Sequence, residues 1–554
     1  MYRCVLAFAS FCLFVAAAQA QATAADTKQP DAKRIEQIIQ DSVKEQHFMG
    51  AVLIDRDGKV IVDKGYGSAD LEWNIPNAPD TKFRLGSITK QFTAAGILLL
   101  EERGKLKLDD PISKYMPNAP AAWKSITFFH LLTHTSGIPS YTSFPDYSTL
   151  QSQPVTPEQL VARFRDKPLD FQPGEKWRYS NSGYALLGYL LEKISGEKYC
   201  DFLQQNIFTP LAMHDTGCDR NRTILPRRAS GYSPGPHGLE NAGYIDMTVP
   251  FSAGELYSTT GDMLRWQQGL FGGKLLTPAS LKKMATPFKE NYGFGLEIQT
   301  IHGHQRISHN GGINGFNTAA AWYPQEKLSI IVLSNVNGNA PDEIADRLAS
   351  VMHNEPVVLP SERKEVAVPV STLAHYAGVY KLSPEFSLTV ALQGDHLVIQ
   401  GTGQPTAPIF ASSPTRFFAR VVDAEIEFFS DASGKVDHLV LYQGGKEITG
   451  VLQKGEPAVL SSERKEVSVP VSTLSRYVGV YQLTPAFSIT ITLQGDHLVA
   501  QATNQPSAPI FAASSTRFFY RVVDAEIEFF PDPSGKIDHL VLYQNGRELK
   551  GTKQ

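Results

Sequence analysis

The stretch Phe83-Arg84-Leu85-Gly86-Ser87-Ile88-Thr89-Lys90, followed by the apolar run 91–101, decides how the rest of this chain is interpreted. The run is apolar nearly all round, which predicts a buried helix rather than an amphipathic surface helix. Gly104 follows it and fits a helix C-terminal cap. Ser87 then lies in the first turn, where free backbone N–H groups and the helix dipole favour a developing anion.

Lys90 follows Ser87 by three residues, which places its amine on the same helix face as the serine hydroxyl. Burial would favour the neutral amine, and a serine beside a neutral base is the arrangement that nucleophilic acyl transfer needs. Ser-x-x-Lys also occurs at four other places in the chain, but none of these opens an apolar helix. The context therefore selects Ser87 as the nucleophile and Lys90 as its base.

Two further motifs offer groups that could complete such a site. Tyr179-Ser180-Asn181 precedes a second apolar helix, and a phenol beside a lysine cation is expected to have a lowered pKa and to shuttle protons. Asn181 offers both a donor and an acceptor to a substrate amide. His309-Asn310-Gly311-Gly312 ends a predicted strand, and its glycines let a substrate lie against the backbone. A backbone N–H in this motif, near that of Ser87, would form an oxyanion hole.

The composition and the N-terminus indicate an exported globular protein. The chain has 554 residues, of which 42% are hydrophobic and 19% charged, and its net charge of −4 gives no basic surface for nucleic acid. Arg3, the apolar segment 4–18 and Ala18-Gln19-Ala20 predict a signal peptide, residues 1–20, cleaved after Ala20. We therefore expect a periplasmic or secreted protein with no membrane span after cleavage. Cys200 and Cys218 remain, either as a disulfide or as two buried thiols.

The pattern up to residue 355 predicts an α+β domain. Helices are expected at 32–45 and 342–353, and strands at 50–55, 59–66, 292–298, 305–309, 316–323 and 328–333. The mostly helical segment 109–266 interrupts them. We therefore expect an antiparallel sheet flanked by helices plus an all-helical lobe, in a domain spanning residues 26–355.

Beyond Pro356 the chain changes to short alternating strands. Residues 361–450 recur 101 positions later, at 462–551, with 66 of 90 positions identical, so one module is duplicated. Each copy holds about eight strand-like runs, which suits a small antiparallel β-barrel whose interior fills with side chains or, less favourably, holds one small ligand. The predicted modules are residues 356–456 and 457–554.

The order and spacing of these motifs resemble those of the serine β-lactamase and penicillin-recognising superfamily, in its class C, CubicO-like branch. The stretches Leu131-Leu132-Thr133-His134-Thr135-Ser136-Gly137 and Gly311-Gly312-Ile313-Asn314-Gly315-Phe316 support the resemblance, which covers about residues 30–355. It implies a β-lactamase/transpeptidase-like domain without cofactor or metal. It also implies roles for particular residues: Ser87 as acylated nucleophile, Lys90 and Tyr179 as general bases and acids, Asn181 as substrate amide anchor, His309 at the carboxylate-recognition position with Asn310 and Gly311 beside it, and Gly312 as the second oxyanion N–H.

One departure bears on the substrate, which is a small molecule or short peptide. Class C β-lactamases usually carry Lys-Thr-Gly where this chain has His309-Asn310-Gly311, and family members with His there include DD-peptidases, D-aminopeptidases and esterases. The resemblance therefore implies a hydrolase for D-amino-acid peptides first, small esters second and β-lactams third. A non-catalytic penicillin sensor is the alternative from another class. The duplicated modules resemble β-rich, in part lipocalin-like, extensions of such hydrolases.

Three further histidines, His134, His302 and His304, are not assigned to catalysis. His134 is expected to bond local backbone at a helix end. His302 and His304 alternate toward one strand face, but no cysteine or carboxylate joins them at metal-ligand spacing in the sequence, so no metal site is predicted.

Overall fold

The computed structural model describes residues 31–44, 47–235, 238–383, 386–404, 406–420, 424–443, 446–453, 458–460, 464–484, 487–503, 507–532, 535–544 and 547–554. The predicted signal peptide and Glu45, the last residue of the first predicted helix, lie outside this set. Among the described residues, no helix has the length and apolar character required to cross a bilayer.

The N-terminal domain contains ten α-helices among its described residues: α1 (Ala32–Lys44), α2 (Thr89–Glu102), α3 (Phe128–Leu132), α4 (Tyr147–Leu150), α5 (Pro157–Arg165), α6 (Asn181–Ser195), α7 (Tyr199–Leu203), α8 (Thr260–Phe271), α9 (Pro278–Met284) and α10 (Ala340–Met352). Its described strands are β1 (Gly50–Arg56), β2 (Lys59–Tyr66), β3 (Ser68–Asp70), β4 (Ile75–Pro76), β5 (Phe83–Arg84), β6 (Gly217–Cys218), β7 (Tyr232–Gly235), β8 (Gly238–Asn241), β9 (Leu256–Ser258), β10 (Glu297–Ile301), β11 (His304–Ile313), β12 (Phe316–Tyr323) and β13 (Leu328–Ser334).

Six of these strands form the main sheet, in the order β10-β11-β12-β13-β1-β2, and every neighbouring pair is antiparallel. Alternate residues of β13 serve two cores: Ile331 and Leu333 pack with the helical lobe, whereas Ile330 and Val332 pack with α1 and α10. This is the predicted α+β architecture of a sheet between helices with an all-helical lobe.

The strand predicted at 292–298 begins five residues later, at Glu297. Gly295 interrupts the extended backbone with φ +66°, and its Cα lies against the backbone of Lys90 at the start of α2. The residues before Glu297 therefore form a turn that reaches the buried helix instead of pairing with β11.

The C-terminal half folds into two closed antiparallel barrels of eight strands each, as predicted. The first comprises β14 (Gly378–Ser383), β15 (Phe386–Gln393), β16 (His396–Gly401), β17 (Thr406–Ala411), β18 (Arg416–Ala419), β19 (Ala424–Ser430), β20 (Val436–Gln443) and β21 (Lys446–Leu452). The second comprises β22 (Gly479–Thr484), β23 (Phe487–Gln494), β24 (His497–Ala502), β25 (Ala508–Ala512), β26 (Arg517–Tyr520), β27 (Ala525–Pro531), β28 (Ile537–Gln544) and β29 (Arg547–Lys553). Short helices α11 (Val370–Leu373) and α12 (Val471–Leu474) precede them.

Each barrel interior is filled by apolar side chains contributed from around the ring. Tyr380, Val390 and Phe428 belong to the cluster of the first barrel, and Tyr481, Ile491 and Phe529 occupy the corresponding places in the second. The buried Tyr380 hydroxyl donates to the Tyr376 carbonyl at 2.8 Å, and Tyr481 repeats this bond with Tyr477 at 2.7 Å.

Each segment that leads into a barrel also packs on the domain before it. Leu359 is 3% exposed and belongs to the core between the sheet, α1 and α10. The Arg34 guanidinium of α1 bonds the Glu362 carboxylate, with one N–O distance of 2.6 Å. Leu460, 101 residues after Leu359, is likewise buried, against Ala391 and Val398 of the first barrel.

Cys200 and Cys218 form a disulfide, which resolves the alternative left open by their spacing. The bridge joins α7 to β6 and closes a loop of sequence separation 18. Such a crosslink disfavours the unfolded chain and is typical of proteins that fold in an oxidising compartment.

Candidate active site

Ser87 sits in a single 3-10 turn, Gly86–Ile88, that leads directly into α2. The helix is buried over almost its whole length, including the polar residues of its first turn, so the turn is held in place by packing on all sides. The Thr89 hydroxyl oxygen accepts a hydrogen bond from the Leu256 N–H at 3.2 Å, which ties the turn to β9. The predicted apolar helix therefore presents Ser87 at its N-terminal end.

Lys90 is fully buried, with 0% of its surface exposed, and its Nζ contacts three oxygens. These are Ser87 Oγ at 3.0 Å, Asn181 Oδ1 at 2.8 Å and the Ala253 carbonyl at 2.9 Å. Desolvation holds the pKa of Lys90 well below its ordinary value. A neutral amine donates two hydrogens, to Asn181 and Ala253, and its lone pair then accepts the Ser87 hydroxyl hydrogen.

Tyr179 lies beside this pair, with its ring centroid 4.7 Å from Lys90 Nζ. Burial raises the pKa of Tyr179 above its ordinary value, and hydrogen bonding with the Ser87 hydroxyl opposes the rise only in part. The expectation of a lowered phenol pKa is therefore wrong. It assumed a lysine cation, whereas the burial that makes Lys90 a base also keeps the Tyr179 phenol protonated.

Asn181 is fixed at the N-terminus of α6 by bonds at both ends of its amide. Its Oδ1 accepts from Lys90, and its Nδ2 donates to Thr142 Oγ1 at 3.1 Å. Its backbone N–H donates to Ser140 Oγ at 3.1 Å. Asn181 thus joins Lys90 to Thr142, a link that the sequence did not predict, and its role as substrate amide anchor stays a prediction.

His134 was expected to bond local backbone, but the structure places it at the centre of the aromatic groups around the site. Its ring centroid lies 4.4 Å from that of Tyr179 and 4.8 Å from that of Tyr292. Its Nδ1 accepts from the Ser180 N–H at 3.2 Å, so it supports the distant Tyr-Ser-Asn loop. Burial is the main cause that holds the pKa of His134 well below its ordinary value, and the nearby Lys90 and His309 contribute further to the lowering.

The backbone of His134 explains why it can reach this loop. It adopts φ +57°, a left-handed conformation that is uncommon outside glycine but that asparagine, aspartate and histidine adopt more often than other residues. The residue is 1% exposed, and its Nε2 makes no hydrogen bond. The motif around His134 supported the family resemblance, but the contact with Ser180 spans 46 residues and has no local sequence signal.

His309 is 2% exposed, and both of its ring nitrogens are engaged. Nδ1 lies 2.5 Å from the Asn310 carbonyl and therefore carries the hydrogen, so Nε2 accepts from the Tyr292 hydroxyl at 3.0 Å. Burial, with a further contribution from Lys90, lowers the pKa of His309 to about 4. The imidazole is neutral at pH 7 and offers no charge to a carboxylate, which argues against the carboxylate-recognition role implied by the resemblance.

The glycines of β11 bring its edge against the nucleophile turn. β10 pairs with β11 only as far as Ser308, so the edge beyond it is not covered by β10. A Cβ on Gly311 would lie 1.9 Å from the Leu85 carbonyl oxygen, which requires glycine there, and the Gly312 backbone lies against Gly86. The predicted partners of the oxyanion hole, the backbones of Ser87 and Gly312, therefore belong to two elements in contact.

Asn310 does not share the orientation of its neighbours. His309 and Gly311 face the helical lobe and are buried, whereas Asn310 is exposed on the other face and its side chain bonds Asp342 of α10. The Asn310 side chain therefore lies on the face of β11 away from the helical lobe, and substrate binding by this residue stays a prediction. Gly311 has no side chain, and its backbone packs closely against Leu85.

Comparison with known proteins agrees with this geometry. The family model described as β-lactamase matches residues 35–352, and a domain of unknown function, DUF3471, matches twice, at residues 362–452 and 463–553. Penicillin-binding protein 4* of Bacillus subtilis (strain 168) is 30% identical over 455 residues, which is 77% of this chain and 100% of that protein. Teichoic acid D-alanine hydrolase of Staphylococcus aureus (strain MRSA252) is 28% identical over 320 residues, 57% of this chain and 76% of that protein.

Two solved structures extend the comparison. The octameric penicillin-binding protein homologue from Pyrococcus abyssi matches with a TM-score of 0.57 and 26% identity, and the match covers 76% of this chain and 100% of that chain. The D-amino acid amidase from Ochrobactrum anthropi SV3, in complex with L-phenylalanine amide, matches with a TM-score of 0.53 and 26% identity, covering 58% and 98%.

Proposed function

Because the chain belongs to the β-lactamase family and is a serine hydrolase, we propose that it hydrolyses amide or ester bonds of D-amino-acid compounds through an acyl-Ser87 intermediate. The observation that carries the proposal is the Lys90 amine. It is fully buried, lies 3.0 Å from Ser87 Oγ, and also contacts Asn181 Oδ1 and the Ala253 carbonyl, the two oxygens to which a neutral amine can donate. The arrangement leaves its lone pair for the serine proton.

The proposed reaction begins when Ser87 Oγ attacks the carbonyl carbon of the scissile bond and its proton passes to Lys90 Nζ. The backbone N–H groups of Ser87 and Gly312 hold the tetrahedral oxyanion, a contribution of about 10²- to 10³-fold in rate for one such donor. The leaving amine or alcohol takes a proton from Lys90 through the Tyr179 phenol, which is suited to donate because it stays protonated. Water then releases the acyl group by the reverse proton path.

Because the His309 imidazole is neutral, we favour a substrate that has no free carboxylate next to the scissile bond. An ion pair with a carboxylate needs a protonated imidazole, and burial, which lowers the pKa of His309 to about 4, disfavours that form at neutral pH. Amides and esters of D-amino acids have no such group, whereas β-lactams and terminal D-Ala-D-Ala peptides do. Two of the related proteins are named for D-amino-acid substrates, a D-alanine hydrolase and a D-amino acid amidase.

We further propose that the protein is exported and that the barrels are accessory to the reaction. The disulfide between Cys200 and Cys218 supports an oxidising compartment. The Lys90–Ser87–Asn181 bond network supports catalysis over a non-catalytic penicillin sensor, because a binder has no need of an activated serine. A small-ester hydrolase is the nearest alternative, and it uses the same residues.

One experiment tests the nucleophile and the substrate class together. A fluorophosphonate probe is expected to label the intact protein but not Ser87→Ala, while Ser361→Ala, outside the domain, keeps full labelling. The kcat/KM values of four substrates are then compared: D-alanine p-nitroanilide, L-alanine p-nitroanilide, p-nitrophenyl acetate and nitrocefin. We expect kcat/KM to be higher for D-alanine p-nitroanilide than for L-alanine p-nitroanilide, and lowest for nitrocefin. Labelling of Ser87→Ala would refute the nucleophile, and a preference for nitrocefin would refute the substrate class.

A further inference from the structure

Three side chains from distant parts of the chain meet at the end of the main sheet opposite the His309 end of β11. His304 begins β11, Glu326 lies in the turn between β12 and β13, and His353 follows α10. Their ligand atoms all lie within 4.8 Å of one another. His304 Nδ1 is 2.5 Å and His353 Nε2 is 3.8 Å from the same oxygen, Glu326 Oε1.

Two atoms of this cluster are buried and make no hydrogen bond, His353 Nε2 and Glu326 Oε2. The His353 side chain is only 5% exposed, so its unbonded nitrogen lies largely out of bulk solvent. A buried polar atom without a partner destabilises the folded protein, because it has lost its bonds to water. A cation bound between the imidazole and the carboxylate would satisfy both atoms at once.

The charges around the cluster favour a cation. Arg56 donates to the Met352 carbonyl and interacts with Glu326, while Glu355 lies 2.9 Å from His302 Nδ1. Apart from the imidazoles, one arginine and two carboxylates leave a net negative charge. A cavity of about 780 Å³ bordered by His353, His302 and Glu355 provides a route from solvent.

We propose that His304, Glu326 and His353 form a binding site for a divalent transition-metal ion, with zinc the best match. Two imidazoles and one carboxylate are a known zinc donor set that leaves a fourth position for water. The rings now stack with centroids 3.6 Å apart. Zinc bonds of about 2.0–2.1 Å require ligand atoms about 3.3 Å apart. The His304–Glu326 pair must therefore open from 2.5 Å by about 0.8 Å, and the His353–Glu326 pair must close from 3.8 Å by about 0.5 Å.

The proposed ion would join three segments that local sequence does not connect. It would link the β10–β11 hairpin and the β12–β13 turn to the residues that leave α10 toward the first barrel. We therefore expect a structural effect of the metal, independent of Ser87 chemistry. Magnesium and calcium are poorer candidates, because they prefer a larger set of oxygen ligands.

Zinc titration of the metal-free full-length protein against a chromophoric competing chelator tests the site. We expect one tight zinc per chain, with affinity reduced by about 100-fold or more in His353→Ala and Glu326→Gln. His302→Ala is the matched control, because it is a neighbouring histidine outside the ligand set and should keep wild-type affinity. Zinc should also raise the melting temperature of the wild type but not of His353→Ala.

A second measurement is independent of any folding defect in the variants. The wild-type protein loaded with Co²⁺ should show the visible absorption of a tetrahedral nitrogen and oxygen site. The absence of that band, or zinc binding no tighter in the wild type than in the double variant His304→Ala/His353→Ala, would overturn the proposal. A loss in His302→Ala as large as that in His353→Ala would also contradict this ligand set.

Discussion

The imidazole of His134 supports the Tyr179 loop without contacting Ser87, which makes it a positioning residue. Replacement by alanine removes the acceptor for the Ser180 N–H and places alanine at a strained φ of +57°. We expect His134→Ala to lower kcat by about 10- to 100-fold, because small misplacements of catalytic groups are costly. KM should change little, as measured with p-nitrophenyl acetate and enzyme counted by active-site titration.

His134→Asn separates positioning from a general loss of structure. Asparagine tolerates the left-handed backbone, and its side-chain oxygen can replace Nδ1 as the acceptor. We expect this variant to recover most of the lost kcat. An equal loss in both variants, or an effect confined to KM, would contradict the positioning role.

The buried amine of Lys90 predicts how activity depends on pH. Because burial lowers its pKa, the folded enzyme holds a neutral base at a pH where an exposed lysine is charged. Acidification protonates the amine and removes the base, so kcat/KM should fall as the pH drops below the lowered pKa of Lys90. It should show no rise near the ordinary lysine pKa of about 10.4. The measurement is a profile of kcat/KM against pH with a neutral ester. If the amine were solvated, kcat/KM would instead increase only at pH values near about 10.

At the scale of elements, the contact between β11 and the nucleophile turn depends on the missing side chain at Gly311. A Cβ there would approach the Leu85 carbonyl oxygen to 1.9 Å, so the strand or the turn must move. We expect Gly311→Ala to lower kcat/KM by about 100-fold or more, by separating the two halves of the oxyanion hole. Gly261→Ala in α8 is the matched control, because its nearest neighbour would be an arginine nitrogen at 3.6 Å. Equal activity in both variants would show that the close approach is not needed.

Elements differ in how far the sequence alone predicts them. The helix after Ser87 and the helix at 342–353 follow from periodic or continuous apolar residues, and both are present, the latter as α10. The strand predicted from Tyr292 was wrong by five residues, because apolar residues around Gly293 and Gly295 suggested a strand although the chain turns there toward α2. Apolar content marks burial but does not distinguish a buried turn from a buried strand.

For the whole molecule, the structure identifies where the catalytic domain can be separated from the barrels. A chain ending after Lys364 keeps Leu359 and Glu362, whereas one ending after Pro356 loses both contacts. We expect the longer form to retain ester turnover within about threefold, since the candidate site draws no side chain from the described residues of the barrels. The shorter form should melt about 5 °C lower, because burial of a leucine contributes about 1.5–3 kcal/mol and each kcal/mol shifts the Tm of a large domain by about 2–4 °C.

Tryptophan fluorescence is a suitable probe for this comparison, because all five tryptophans, at positions 73 to 322, lie before the barrels. Leu359→Ala in the full-length chain is the control and should lower the same transition by a similar amount. Loss of turnover in the chain ending after Lys364 would contradict an accessory role for the barrels. Equal melting temperatures of the two truncated chains would contradict the docking of Leu359.

The amino-acid sequence by itself determined the order of the motifs, the pairing of Ser87 with Lys90, the α+β domain and the duplicated barrels. These depend on local spacing or on repetition, and helix geometry converts a three-residue interval into a contact without knowledge of the rest of the fold. Only the tertiary structure decided that Asn310 turns away, that Tyr179 stays protonated, that His309 is neutral and that His134 supports the Tyr179 loop. Protonation depends on how completely distant segments remove water from a group, and orientation depends on which strand face meets which layer. For the same reason His304, Glu326 and His353 form a cluster only after three separate segments have packed at one end of the sheet.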